Sequence, residues 1–150
     1  MSFVDTLKDM TTTLGADTGL LAFCNAAFTK AHTVKRVYKP RVEIELADLP
    51  LIMITRPVLK AGVWRPTERD YTHTIRLYCG FQCDDRELAQ ELLIEFEEVL
   101  DAAILVYKDP NKLLAGITDI DPQDAVNDEG YFHPVYFFVK DVEISETRQL

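Results

Sequence analysis

The chain has 150 residues, 47% hydrophobic and 27% charged, with six glycines and seven prolines, which is the composition of one ordinary globular domain and excludes a fibre or a low-complexity linker. Sixteen Lys/Arg against 25 Asp/Glu leave a net charge of −9, which argues against a dedicated nucleic-acid binder, since such proteins replace phosphate counterions with basic side chains. Three cysteines without C-x-x-C spacing argue against a disulfide framework and suit a reducing compartment.

A single core over residues 1–150 is expected, because a chain of this length buries roughly 70% of its unfolded surface without metal or disulfide. No secretory leader is expected from the acidic start, and no apolar run nears the ~18 residues of a membrane span. The charge is divided along the chain. Residues 1–80 hold 11 Lys/Arg against 8 Asp/Glu, a balance of +3, and residues 81–150 hold 5 against 17, a balance of −12. Unlike patches on one chain are what head-to-tail self-association uses.

Ser2 followed by Asp5 at the capping-box position, with Phe3, Leu7, Met10 and Leu14 at helical steps, predicts an amphipathic helix ended by Gly15. A second helix is predicted from about Asp17 to Ala31, with Leu20, Leu21, Cys24, Ala27 and Phe28 on one side. From Arg41 to Leu46 the period changes to two, predicting a half-buried strand, and Leu51–Ile54 predicts a more apolar one stopped by Pro57. Arg56–Asp70, with Gly62, Pro66, four basic residues and the single Trp64, reads as an overlong hairpin loop, ordered on assembly.

Tyr71 to Gln82 alternates throughout and predicts a strand with its odd positions facing the core. Asp84 with Glu87 then caps a long helix over about 84–107, with Leu88, Leu92, Phe96, Val99 and Ala103 as its buried stripe. Glu91, Glu95, Glu98 and Asp101 occupy the opposite face with few basic partners. Gly116–Ile120 offers a short strand, Pro122–Gly130 an acidic turn region, and Phe132–Ile144 a closing strand apolar on both faces. Gly130 and Pro134 place the start of that strand near a sheet edge. The fold class expected is α+β: a mainly antiparallel sheet of about 4–5 strands, with the long helix and the N-terminal helices on one face.

No catalytic constellation emerges. His32, His73 and His133 show no helical ligand spacing, and His73 on an apolar strand reads as a hydrogen-bonded core histidine. Cys79 and Cys83 read as small hydrophobes, and no nucleophile elbow, phosphate loop or EF-hand order is present. No enzyme activity, metal or cofactor is therefore expected. The basic run Lys30, Lys35, Arg36, Lys39 and Arg41 reads as a solvated strand start or a basic rim.

Three segments carry a resemblance. They are Tyr71-Thr-His-Thr-Ile-Arg-Leu-Tyr-Cys as the strand leading to the helix, Asp84-Asp-Arg-Glu-Leu-Ala-Gln-Glu-Leu-Leu-Ile-Glu-Phe-Glu-Glu-Val-Leu as the helix on the sheet, and the Asp109–Gly116 connection with the aromatic closing strand through Ile144. Over residues 33–146 this order resembles the tail terminator (tail completion) proteins of long-tailed bacteriophages and prophages. The resemblance implies a homo-hexameric ring at the virion tail-head junction, assembled in the host cytoplasm, that caps the tail tube, ends its polymerisation and meets the head connector. DNA would only pass through the lumen, and no membrane is involved. Another phage neck or head-tail connector component, or a small-molecule binding domain, are the alternatives. Candidate subunit or tube contacts are Arg36, Arg41, Arg56, Trp64, Arg65, Arg69 and Arg76 in the basic half. In the acidic half they are Glu91, Glu95, Glu98 and Asp101, with Tyr136 and Phe138 for apolar burial.

Overall fold

Capping residues set the helix boundaries in the computed structural model, which describes residues 2–106, 109 and 116–150. Helix α1 spans Phe3–Ala16, and the Asp5 carboxylate accepts from the Ser2 backbone N–H at 3.0 Å. It continues through Gly15, whose φ is not positive, and ends at Asp17. Asp17 also caps α2 (Thr18–Phe28), its carboxylate accepting from the Leu20 N–H at 2.9 Å. This helix stops three residues before the expected Ala31, where Thr29 turns left-handed at φ 56°.

Helix α3 spans Arg86–Leu105, so its predicted limits of 84 and 107 shift inward at the start, and Tyr107 lies outside the described residues. Asp85, not Asp84, is the cap, accepting from Glu87 and Leu88 N–H at 3.0 and 3.2 Å. The buried stripe moves accordingly to Ala89, Leu92, Leu93, Phe96, Leu100, Ala103 and Ile104, leaving Leu88 45% exposed.

The strands are β1 (Thr33–Lys35), β2 (Leu51–Trp64), β3 (Glu68–Gln82), β4 (Ile117–Asn127) and β5 (Val135–Gln149). They form one sheet in the order β1-β2-β3-β5-β4, parallel only between β1 and β2. The architecture is the α+β fold expected, a mostly antiparallel sheet with helices on one face. Alternation decides the two faces. Ile52, Ile54, Ile75, Leu77, Cys79, Phe81, Tyr136 and Phe138 join the helices in the main core, whereas Leu51, Met53 and Val135 face the other way, with Ile44, Leu49, Tyr78 and Phe137. The closing strand's second apolar face is thus covered by this chain's own 36–50 segment.

Three expectations are corrected. Arg41–Leu46 is not a strand: short 3-10 turns occupy Arg41–Glu43 and Leu46–Asp48, Ile44 is buried, and Val42 is 90% exposed. A strand needs a neighbouring edge to satisfy its backbone, and β1 holds that edge of β2 at Leu51–Met53. Arg56–Asp70 is not a loop either. Strand continues on both sides, and only Arg65-Pro66-Thr67 turns, closed by Arg65 N–H to the Glu68 carbonyl at 2.8 Å. Pro57 is accommodated because it lies on the open side of β2, at a register irregularity between Thr55 and Val58.

Finally, β4 runs on through the expected acidic turn to Asn127, and β5 starts at Val135 and extends to Gln149. It lies between β3 and β4, so its start is not at an edge. Most of the Asp109–Gly116 connection lies outside the described residues.

Candidate assembly surface

From Arg56 onward β2 is exposed, and with the facing parts of β3 and β5 it makes an arm that carries the sheet outward. Trp64, 63% exposed, pairs across the arm with Arg69, whose guanidinium stands 4.5 Å from the indole centroid and 5.6 Å from that of Tyr71. Arg148, opposite Arg69 on β5, stands 4.4 Å from the Tyr71 ring. Cations alternate with aromatic faces along this side, each attracted by the ring quadrupole. Arg65 clamps the turn: its Nε donates to Glu68 at 2.7 Å and its two Nη to the Asp70 carboxylate at 2.6 and 3.1 Å. The hydrogen bonds from Arg65 and from the Thr147 hydroxyl hold the Asp70 carboxyl below its usual range, and Asp70 and Glu68 raise Arg65 in turn.

At the root of the arm His73 is 0% exposed and stacks on Phe3, with centroids 3.5 Å apart. Its Nε2 lies 2.6 Å from Glu146 Oε2 and its Nδ1 lies 3.3 Å from Arg56 Nη1. A guanidinium can only donate, so Nδ1 accepts and the ring proton sits on Nε2, aimed at the carboxylate. Burial, which outweighs the pull of Glu146, holds His73 below its ordinary value, with Arg56 and Arg148 adding to the lowering. Burial raises Glu146, but hydrogen bonds from Arg148 and His73 prevail and hold it below the usual carboxylate value. Buried and paired on both nitrogens, the imidazole joins β3 to β5 and to Arg56 of β2 at the root of the arm.

The remaining candidates are scattered. Arg76 is spent on a bidentate cross-strand pair with Asp141 at 2.8 and 3.2 Å. Arg36 is exposed and Arg41 half-buried on the segment covering the second face, while Glu91, Glu95 and Glu98 line the exposed back of α3. Asp101 does not stand free on that back: Lys140 of β5, 4% exposed, lies 3.0 Å away. Tyr136 and Phe138 are 1% and 2% exposed, packed on Phe81 and Phe96 with centroids 5.7 and 5.3 Å apart. They are internal core and cannot supply apolar contact between subunits. On the arm, β2 exposes four apolar side chains in a short stretch, Val58, Leu59, Val63 and Trp64, at 44–63%.

The structure therefore gathers Arg56, Trp64, Arg65 and Arg69 on one arm. It adds Tyr71, the first residue of the alternating Tyr71–Gln82 strand, and Glu146 and Arg148, which lie in a polar stretch after Ile144 with no apolar alternation to mark it as strand. Burial pushes the Cys24 thiol up to about 12 and raises Cys79 well above the ordinary thiol value, so both stay protonated and unreactive. Among the described residues no group of three or more His, Cys, Asp or Glu is placed to hold a metal ion, and no helix is long and apolar enough to cross a membrane. Clefts of about 360, 350 and 390 Å³ lie beside Phe28 and Leu49, beside Asp17 and Val99, and on the arm beside Asp70 and Thr147, and one of about 160 Å³ lies between Tyr38, Met53, Tyr78, Phe132 and Phe137.

No family model and no curated protein matches this chain. A solved chain from the virion of a native gene transfer agent (GTA) particle superposes with a TM-score of 0.53, over 93% of this chain and 92% of that one, at 10% sequence identity. The two share a fold along nearly their whole lengths.

Proposed function

We propose that this chain is a structural protein of a phage-like virion, and that its place there is the ring that caps the tail tube, ends tube growth and joins the tail to the head connector. The observation that carries the reading is the end-to-end fold likeness to a chain of a gene transfer agent virion. The order of elements over 33–146, similar to that of tail terminators, supports the finer role. The arm supports it too: Trp and Arg are favoured anchors at protein interfaces, and here Trp64 and Arg69 stand together at an exposed tip held rigid by Arg65. Capping is a binding function, needing one surface for the last ring of tube subunits and another for the connector, with DNA passing through the lumen.

The test adds purified protein to growing tail tubes. Wild type should bind tube ends and stop elongation, and the Trp64→Ala, Arg69→Ala double variant should keep its circular dichroism and lose most of that binding. A double variant that caps as well as wild type refutes the arm's part. Wild type that binds tail-less heads but not tubes refutes capping and makes the chain a head-side neck component.

A further inference from the structure

Among the described residues the sheet ends on both sides in strand with an open edge. β1 occupies β2 only at Leu51–Met53, and no described strand lies beyond β4. Open edges present unpaired N–H and C=O groups that template pairing with another chain, and proteins blunt the unused ones with proline, bulges and charge. Here the blunting is local. Pro57 sits in the irregularity between Thr55 and Val58, and Pro122 borders the one before Ala125. Beside them regular strand remains, Val58–Ala61 on β2 and Asp119–Pro122 on β4.

The registers place these two stretches level with each other. Lys60 lies opposite Thr72, Thr72 opposite Ser145, and Ser145 opposite Asp119. Leu59 leads in the same way through His73 and Ile144 to Ile120, and Val58 through Thr74 and Glu143 to Asp121. Three antiparallel pairings separate β2 from β4, so the two edges run in opposite directions. A second copy placed beside the first, with strands level and the same face inward, therefore sets its β4 antiparallel to the neighbour's β2. The edges also differ in charge: Arg56 and Lys60 stand on one, Asp119, Asp121 and Asp124 on the other.

We infer that a second copy of this chain joins by strand addition, Val58–Lys60 of one copy pairing antiparallel with Asp119–Asp121 of the next, with Lys60 facing Asp119. A second copy is the occupant because the level, oppositely charged complement of each edge lies on the same chain. Exposed Val58 and Leu59 supply apolar burial, the backbone supplies hydrogen bonds, and the charges choose register. Two unlike edges make a heterologous contact, the kind that closes into a ring. The inference rests on the ring reading above for closure, and it assigns the joint.

The test is a Lys60→Cys, Asp119→Cys double variant assembled on tail tubes or at high concentration and exposed to a mild oxidant. Within one chain these positions are three strand spacings apart, about 14 Å, beyond the roughly 4.4–6.8 Å Cα separation a disulfide bridges. Any bridge between them thus joins copies, with wild type as the control for Cys83. A covalent ladder up to ring size is the expected result. Lys60→Glu and Asp119→Lys should each weaken association by about tenfold or more, and the combined swap should restore it. Rings that form without cross-linking, or a swap that fails to restore, overturn the strand joint while the ring reading stands. Wild type that never self-associates, even on tube ends, overturns both.

Discussion

Glu146 ties the arm to the core, and replacing it by alanine tests that connection. The carboxylate accepts from His73 Nε2 and from Arg148 Nε. Without it the imidazole N–H is left with no acceptor in a site of 0% exposure, a cost of about 1–3 kcal/mol. The lost contact to Arg148, whose side chain is 42% exposed, adds about 0–1 kcal/mol. The total of about 1–4 kcal/mol should lower Tm by about 2–16 °C, at roughly 2–4 °C per kcal/mol for a chain of this size. Thermal and urea unfolding followed by circular dichroism measure it near neutral pH.

The pH dependence adds a second reading. Native His73 is held below 6.5, the value it has when unfolded, so below about that pH the unfolded chain binds a proton the native one refuses, and wild-type stability declines. Glu146 is held below 4.5. Its contribution is present above that value and disappears as the pH falls through the lower native one, so wild type and variant should converge in acid. A loss under about 0.5 kcal/mol, the range of ordinary surface changes, or a difference that persists unchanged in acid, would refute the network's role.

Gly80→Ala should destabilise by about 1–3 kcal/mol in urea unfolding, because the added Cβ lies 2.5 Å from the Phe137 ring, which must leave the second-face cluster. Glu91→Lys should stabilise the monomer by about 0.5–1 kcal/mol in the same assay, since Glu87 and Glu95 flank it four residues away on the exposed side of α3.

Sequence alone determined the features that depend on near neighbours. Alternation from Tyr71 to Gln82 identified β3 and its inward residues, and Ile75, Leu77, Cys79 and Phe81 are all 0% exposed. The Ser2–Asp5 pair likewise identified the start of α1. The same local cues failed wherever an outside partner decides. Alternation in Arg41–Leu46 found no free edge to pair with. Proline and glycine in Arg56–Asp70 did not break a strand whose outer side needs no donor. For the candidate site, the arm residues Arg56, Trp64, Arg65 and Arg69 were legible because they adjoin in sequence. The internal burial of Tyr136 and Phe138, the pairing of Arg76 with Asp141 and of Asp101 with Lys140, and the level of Lys60 with Asp119 were not. Each of these depends on strand order and register, and the β3–β5 pairing that governs them joins Glu68 to Gln149 and Gln82 to Val135, contacts that exist only once the chain has closed on itself.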